Sequence, residues 1–251
     1  EMGERDQVAL NKGNLSELYL LRGHVDRAGE LALESWTSFR RLRDRQGVVT
    51  AAAHRLAVAR ARQDVVDAES LLERMETIAG RDELEASWAV WWLERAKWHR
   101  SRQQKSVAWH CLEQAARSLG PDAPDHRKRE VNLVRGELMI DRGQFARALP
   151  ILKGVVVQAD EDGHQPIAWR ARCVLTAVEA RLGREVSPLL PPDHLLRHHV
   201  PLSLATSWYL GEAFTFLGRP EEAQALREEG AELAQSLGFV DWAGVFARPK
   251  G

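Results

Sequence analysis

Hydrophobic residues recur at helical spacing along the chain, and turn residues interrupt this pattern at regular intervals. In the first stretch, Leu15, Leu18 and Leu21 lie three residues apart and share one helix face. Gly23 follows, and glycine ends helices at low cost because it readily adopts left-handed backbone angles. A second apolar series begins at Val25. The pattern therefore predicts two amphipathic helices joined by a short turn.

This helix-turn-helix pattern recurs with a fixed period. The stretch LSELYLLRGHVDRA at 15–28 has close copies in RGELMIDRGQFARA at 135–148 and LGEAFTFLGRPEEA at 210–223. An alanine closes each copy, and successive closing alanines lie 40 residues apart, at Ala28, Ala68, Ala108 and Ala148. Pro188 takes the next position, and the last copy closes 35 residues later at Ala223. Self-similarity at this length predicts stacked supersecondary units.

We therefore predict an all-α fold, an α-solenoid of about six helix-turn-helix repeats that forms one domain over residues 1–251. The predicted repeats span about 7–46, 47–81, 82–121, 125–163, 165–192 and 200–238, with 239–251 as a capping or partial helix. The fifth repeat is expected to be irregular, because three prolines at 188, 191 and 192 prevent a full second helix.

Several helix ends can be predicted within this scheme. The second helix of the first repeat is expected to stop near Gly47, and Asp125 is expected to cap the first helix of the fourth repeat. Turns without glycine are predicted at Gln63–Asp64 and Gln103–Gln104. Leu56–Ala57 suggests that the second repeat is shifted by one residue relative to the others.

Composition and charge narrow the function. The chain has 35 Lys and Arg against 36 Asp and Glu, so no strong field draws it to nucleic acid or to a membrane surface. Its two cysteines have neither a disulfide framework nor metal-ligand spacing, which favours a cytoplasmic setting. No apolar run approaches the roughly 20 residues that span a bilayer. Because the chain does not begin with methionine, we interpret it as part of a longer protein.

No set of residues indicates catalysis, and we predict neither an enzyme nor a cofactor. Nucleotide-binding, hydrolase and zinc-protease motifs are missing. His194, His198 and His199 include a pair at i, i+4 spacing that could bind zinc, but a solvated linker explains them better. The acidic run 160–163 lacks the alternating ligands of a calcium loop and is interpreted as a helix end. The basic runs 40–45 and 127–129 are interpreted as solvated helix faces.

The nine tryptophans fall mostly at helix-facing spacing, so packing inside the fold is the first interpretation. An exposed subset could instead anchor an interface, where tryptophan and arginine are favoured. The candidates for that second role are Trp88, Trp91 and Trp208.

The repeated residues resemble the tetratricopeptide repeat, whose pattern is a tryptophan, Leu-Gly, an aromatic, a glycine and an alanine. The last copy matches it most fully, with Leu210, Gly211, Phe214, Gly218 and Ala223. The first copy matches with Ser16 in place of the first glycine, and the third has the leading tryptophan at Trp92, whereas Arg95 and Arg135 stand where leucine is expected. The 40-residue period, longer than the usual 34, resembles the arrays of MalT-like transcription activators and related signal-transducing ATPases.

The resemblance implies a right-handed α-solenoid in which the first helices of successive repeats line a concave groove where a ligand binds. Carried over repeat by repeat, it implies a groove with side chains of both signs, suited to a peptide or protein segment: Glu17, Leu20, Thr50, Arg60, Lys97, Arg100, Glu137, Asp141, Arg170, Arg181, Trp208 and Glu212. The places of Thr50 and Arg60 in this set depend on the apparent one-residue shift in the second repeat.

We expect a non-enzymatic protein-interaction or regulatory scaffold within a larger bacterial signalling or transcription-regulatory protein. Its partners would be a protein or peptide in the groove and other domains of the parent chain, without nucleic acid or membrane. The alternative is a sensor whose groove binds a small molecule or signalling peptide and changes the superhelix. The proline-rich stretch 187–193 would be its hinge.

Overall fold

The computed structural model describes residues 2–78, 86–120 and 123–247, and every regular element among them is an α-helix. The predicted all-α fold is thereby confirmed. Contacts divide the chain into two compact units, Glu1–Ala123 and Pro124–Gly251, which we call the N-terminal and C-terminal units. None of the described helices is long and apolar enough to cross a lipid bilayer.

The N-terminal unit contains three consecutive helical hairpins. The first helix of each hairpin packs against its own second helix, and α2 also packs against α3. In addition, α3 contacts α1 on one side and α5 on the other, so the first helices form a layer of their own. The helices are α1 (Met2–Leu21), α2 (Val25–Leu42), α3 (Arg45–Arg62), α4 (Val65–Ile78), α5 (Ala86–Ser101) and α6 (Lys105–Ser118).

The C-terminal unit repeats this arrangement with one interruption. A helix-free stretch at 182–192 and the short α10 replace the second helix of the middle hairpin, and α9 packs against α11 as α3 packs against α5. As predicted, the prolines at 188, 191 and 192 prevent a full second helix in this hairpin. The helices are α7 (Asp125–Asp141), α8 (Phe145–Glu161), α9 (Gln165–Arg181), α10 (Asp193–His198), α11 (Val200–Phe216), α12 (Pro220–Ser236) and α13 (Val240–Phe246).

From Gly23 to Gly183, residues with left-handed backbone angles mark the turns at intervals that are multiples of 20, and Gly218 and Gly238 follow after an interval of 35. Glycine occupies four of the positions between 23 and 183, namely Gly23, Gly143, Gly163 and Gly183. The other three are Arg43, Gln63 and Gln103. The predicted turns at 63–64 and 103–104 are confirmed. A left-handed conformation at Arg, Gln or any other residue with a Cβ costs roughly 1–2 kcal/mol, which the adjoining helix packing must offset.

Two predicted helix ends are wrong. α2 ends at Leu42 rather than near Gly47, because Asp44 accepts a hydrogen bond from the Gly47 N–H at 3.0 Å and starts α3 there. Gly47 instead lies in the first turn of α3, where a Cβ would come within 2.2 Å of the Phe39 ring. α7 begins at Asp125 itself, and the capping position belongs to Pro124 without a side-chain hydrogen bond.

The predicted one-residue shift in the second repeat is also wrong. The turn residues Gly23 and Gln63 lie 40 residues apart, so α1 and α3 keep the same register. The counterpart of Ser16 is therefore Leu56, and both side chains are buried. Leucine thus occupies a position that is small in the first repeat, and the small residue that suggests a shift, Ala57, is its neighbour.

Small residues form the joints between paired helices. The closing alanines at 28, 68, 108 and 148 are all 0% exposed. The Ser16 hydroxyl donates to the Ala28 carbonyl at 2.8 Å, which ties α1 to α2. At Gly136, 120 residues further along, a Cβ would approach the Leu152 side chain to 2.6 Å. These positions let the helix axes approach closely, as ridge-and-groove packing at 8–10 Å requires.

The core of the N-terminal unit is rich in aromatic residues from successive hairpins. Trp88 and Trp91 are each 1% exposed, so the suggestion that they anchor an interface is wrong and the packing interpretation holds. Their large rings fill the space between helices that the small residues bring together. Other members of this core are Trp36, Phe39, Leu71, Met75 and Trp98.

Some predicted features are not tested by these observations. The start of the third repeat near 82 and the end of the tail at 248–251 lie outside the described residues. The repeat boundaries as a set, the grouping of all repeats into one domain and the right-handed superhelix remain predictions.

The turn geometry gives a reciprocal stability test. Gln103→Gly should raise the free energy of unfolding by about 0.5–1 kcal/mol, because relief of left-handed strain exceeds the extra chain entropy of glycine. Gly143→Gln, at the equivalent position 40 residues later with φ +73° and open space around it, should lower it by a similar amount. Urea denaturation followed by far-UV circular dichroism measures both. A Gln103→Gly variant no more stable than the parent would contradict the turn assignment.

Candidate functional site

The residues predicted to bind a ligand all lie on the first helices of the hairpins. These helices are α1, α3 and α5 in the N-terminal unit and α7, α9 and α11 in the C-terminal unit. Within each unit they contact one another, α3 and α9 being the middle members. We call each of these sets an A-helix layer.

In the N-terminal unit, two groups of ionisable side chains bridge the A-helix layer, one between α1 and α3 and the other between α3 and α5. Glu94 of α5 lies 2.5 Å from the Lys97 ammonium and 3.7 Å from the Arg60 guanidinium of α3. Glu17 of α1 lies 3.9 Å from Nε2 of His54 on α3. The structure therefore places the predicted residues Glu17, Arg60 and Lys97 along three adjacent helices. Together with their partners the set is Glu17, His54, Arg60, Glu94 and Lys97, and we call these five residues the charged strip.

Two members of the charged strip, His54 and Glu94, were not predicted. They share one repeat position with Asn14, since 14, 54 and 94 are separated by 40 residues. A polar residue at the same position of three repeats indicates a shared polar face. The supposed one-residue shift in the second repeat hid this correspondence. The other predicted residues of this unit, Leu20, Thr50 and Arg100, are half-buried on the same helices.

The side chains of the strip are partly accessible. The Glu17 side chain is 49% exposed, whereas those of Arg60 and Lys97 are 22% and 16% exposed. Partial burial strengthens each electrostatic contact relative to a fully solvated pair and restricts the side-chain rotamers. The strip can therefore present charge in fixed places without the large ordering cost of free lysine and arginine side chains.

In the C-terminal unit, the predicted residues Glu137 and Arg170 bind each other. Arg170 donates from Nε and Nη2 to the two carboxylate oxygens of Glu137 at 2.9 and 3.0 Å. The Glu137 side chain is only 1% exposed, so this bidentate pair is an internal tie between α7 and α9. Such a geometry is among the stronger ion-pair contacts in proteins.

The remaining predicted residues of this unit are distributed over several contacts. The Arg181 guanidinium lies 4.6 Å from the Phe145 ring and 4.7 Å from the Phe216 ring. Glu212 lies 3.6 Å from Arg227 of α12, and Asp141 is half-buried at the end of α7. Trp208 packs edge-on against Phe246 of α13 at 5.9 Å. The structure does not bring these four together into one cluster.

His199 has a structural role at the start of α11. Its Nδ1 accepts a hydrogen bond from the Leu202 N–H at 3.1 Å and so caps the helix. Burial, and to a lesser extent the nearby charge of Arg170, lowers the pKa of His199 to about 4, so the ring is neutral near pH 7. Among the described residues, no group of three His, Cys, Asp or Glu side chains is arranged to hold a metal ion.

The two cysteines are buried and are not arranged as nucleophiles. Burial raises the pKa of both Cys111 and Cys173 to about 11, so each is a neutral thiol at physiological pH. Cys173 lies 3.6 Å from the Thr206 hydroxyl, a contact that joins α9 to α11. Their environment suits packing between helices.

A small open cleft lies between α2, α3 and α4, away from the charged strip. Its volume is about 260 Å³, below the 300–1,000 Å³ common for small-molecule sites. Ion pairs of Arg55 with Asp67 and of Arg62 with Asp26 lie beside it. The cleft is therefore better described as a gap between packed helices than as a ligand pocket.

No protein-family model and no curated protein matches this chain. Two solved structures of a putative kinesin light chain with nearly identical TPR-like repeats, from Podosopora anserina, are similar to it. The first is 20% identical, covers 92% of this chain and 96% of its own, and has a TM-score of 0.47. The second is 19% identical, covers 93% and 95%, and has the same TM-score.

At this level of similarity the two structures carry no argument about function, and they lend no support to the more specific likeness to MalT-like regulators. The helical repeat fold is established here by the chain's own hairpins, turn spacing and buried joints.

The Glu137–Arg170 pair generates a test of its structural role. Arg170→Met should lower the free energy of unfolding by about 3–5 kcal/mol, because it leaves a buried carboxylate without its arginine. Adding Glu137→Met should recover most of that loss, since the two apolar side chains then pack together. Arg181→Met, on the same helix but exposed, is the matched control and should change stability by less than about 1 kcal/mol. Equal effects of Arg170→Met and Arg181→Met in urea denaturation would show that the pair is not a buried tie.

Proposed function

We propose that this chain is a non-catalytic protein-interaction scaffold that binds an extended peptide segment of a partner across the N-terminal A-helix layer. The observation that carries the proposal is the charged strip, which crosses three adjacent helices and stays partly accessible. Side chains of this kind on a rigid helical layer provide specific contacts without remodelling the fold.

The spacing of the helices fits a short peptide. Adjacent packed helices lie about 8–10 Å apart, so a segment crossing from α1 to α5 covers roughly 20 Å. An extended chain advances about 3.3 Å per residue, which corresponds to about six residues. We therefore propose a bound segment of that length as the core of the recognition element.

The charges indicate the polarity of the ligand. Glu17 lies at the α1 end of the strip, whereas Arg60 and Lys97 lie where α3 meets α5, with Arg100 one turn beyond Lys97. We propose that a basic side chain of the peptide faces Glu17 and an acidic one faces Arg60 and Lys97. Glu94 positions both cations for this contact.

The same A-helix layer in the C-terminal unit is a weaker candidate. Glu137 and Arg170 bind each other, and Arg181 and Glu212 contact neighbouring helices. Asp141 and Trp208 are the residues of that unit that we retain as proposed ligand contacts. In the N-terminal unit, by comparison, three predicted residues, Glu17, Arg60 and Lys97, belong to the charged strip.

We also propose that the scaffold acts inside the cytoplasm as part of a larger bacterial signalling or transcription-regulatory protein, with other domains of that protein as partners. The 40-residue repeat period is the feature that favours this context. The alternative is a sensor that bends at 187–193. The direct packing of α9 against α11 disfavours it, because the two helices bypass that stretch.

The proposal is tested by selecting ligands from a display library of random 12-residue peptides on the immobilised chain. The best selected peptide is then synthesised and titrated by fluorescence anisotropy. Arg60→Glu and Lys97→Glu should each weaken its binding at least tenfold, and added salt should weaken binding to the parent chain, because the contacts are between partly exposed charges. Arg117→Glu on α6 is the matched control, since it reverses an exposed charge outside the layer.

Circular dichroism confirms that each variant is folded before binding is compared. Selected peptides whose affinity is the same for the parent and for both strip variants would contradict the proposed site. A library that yields no saturable binder would contradict the proposed peptide ligand.

A further inference from the structure

A buried arginine occupies a core position near the start of the C-terminal unit. Arg129 of α7 is only 3% exposed. In the 40-residue register its counterparts are apolar core residues, namely Ala9, Val49 and Ala89, at 0–4% exposure. A guanidinium keeps its charge in a protein, and its burial is costly unless acceptors and a counter-charge surround it. The groups around Arg129 therefore decide whether this part of α7 stays in place.

The turn between α8 and α9 supplies the partners of Arg129. Its Nη1 donates to the Asp162 carboxylate, and its Nη2 donates to Nδ1 of His164 at 3.0 Å. His164 stands at the capping position of α9, yet its side chain caps no backbone N–H there. At equivalent positions Asp44 and Asp64 do accept from the first turns of α3 and α4. The His164 ring is thus committed to the contact with α7.

This hydrogen bond fixes the protonation state of His164. A guanidinium has donors only, so Nδ1 of His164 carries no proton and the ring proton is on Nε2. A second proton, on Nδ1, would remove the acceptor and place an imidazolium within hydrogen-bond distance of Arg129. Asp162 offsets that charge only weakly, because its side chain is 48% exposed. The contact between α7 and the turn therefore requires a neutral His164.

A second histidine lies against the first. The rings of His126 on α7 and His164 meet edge-on, with centroids 5.8 Å apart. Burial, followed by the nearby charge of Arg127, lowers the pKa of His126, so the fold favours its neutral form as well. Acidification therefore adds positive charge at two adjoining rings beside a buried cation.

The carboxylates of the surrounding helices are largely occupied. Glu130 lies 3.2 Å from Arg127, and Asp160 pairs with Arg172 of α9. Asp162 is left to offset both Arg129 and any added proton. The charged and titratable groups of this cluster are His126, Arg127, Arg129 and Glu130 of α7, Asp160 of α8, Asp162 and His164 of the turn, and Arg172 of α9.

We propose that Arg129, Asp162, His126 and His164 form a pH-sensitive latch that joins the start of α7 to the α8–α9 turn and opens on acidification. The open state binds protons more readily, because the closed contact needs a neutral imidazole. The stabilisation by the latch is therefore complete above about pH 6.5, the ordinary value for histidine, and is lost as the pH falls below it. The latch lies in the C-terminal unit and acts independently of the charged strip.

The experiment measures amide hydrogen exchange of the intact chain at pH 7.5 and 5.5, corrected for the intrinsic pH dependence of exchange. The corrected rates at 125–133 and 159–168 should rise roughly three- to tenfold at pH 5.5, because a histidine in an opened segment titrates near pH 6.5. α12 contains no histidine and should keep its rate, which separates opening of the latch from unfolding of the unit.

Matched variants assign the response to the latch. His164→Gln should remove it, because glutamine keeps a hydrogen-bond acceptor but does not titrate in this range. His110→Gln, which replaces an exposed histidine of α6, is the control and should retain the full response. Circular dichroism at both pH values verifies that each variant is folded.

Nitrogen-15 NMR of the histidine rings tests the parent chain without any variant. At pH 7.5 the ring of His164 should carry its proton on Nε2 and none on Nδ1. The proposal is overturned if that ring is protonated on Nδ1 at pH 7.5, or if the corrected exchange at 125–133 and 159–168 is the same at both pH values. It is also overturned if His164→Gln retains the full response.

Discussion

Close approach of paired helices at small residues is the interaction on which the rest of the structure depends. A helical hairpin buries one stripe of each helix, and the depth of that burial is set by the smallest side chain at the crossing. Alanine at 28, 68, 108 and 148 meets this requirement in four hairpins, all with no exposed surface. The large residues, including three tryptophans of α5, then fill the spaces beside the crossings. Dense packing of this kind leaves little room for other side chains at the joints.

Turn geometry makes this arrangement periodic. Between residues 23 and 183, left-handed residues separated by multiples of 20 keep each joint on the same helix face, even where Arg43, Gln63 or Gln103 replaces glycine. The break at 182–192 leaves the layer of first helices intact, since α9 packs against α11 as α3 packs against α5. Polar side chains lie on the helix faces that do not pack within or between hairpins. The charged strip lies on one such face.

The fold was predictable from the sequence because its signals are local and repeated. Alanine spacing, glycine turns and proline breaks each constrain nearby backbone, and six approximate copies reinforce one another. The end of α2 was not predictable, because Arg43 in a left-handed turn has no residue-type signal and Gly47 suggested a later stop. The supposed shift at Leu56 failed for a related reason, since only the structure shows that leucine and serine occupy the same joint.

The candidate site was predictable in part. Glu17, Arg60 and Lys97 lie on the expected helices, but their partners His54 and Glu94 became apparent only when the register was known. Glu137 and Arg170 illustrate the limit of sequence reasoning most clearly. Two charged residues 33 positions apart looked like ligand contacts, whereas tertiary packing joins them into a buried pair. Charge in a sequence does not reveal whether its counter-charge comes from a ligand or from the next helix.

The central claim, that small residues at fixed spacing set the hairpin joints, is tested most directly by Ala108→Leu with Val107→Leu as its neighbouring control. Ala108 is 0% exposed, whereas Val107 is 43% exposed on the same turn of α6. Urea denaturation should show that Ala108→Leu lowers the free energy of unfolding by about 1–3 kcal/mol, because the joint cannot accommodate the extra volume. Val107→Leu should change it by no more than about 0.5 kcal/mol. If the chain tolerates Ala108→Leu as well as Val107→Leu, the joints do not depend on small residues and the account is contradicted.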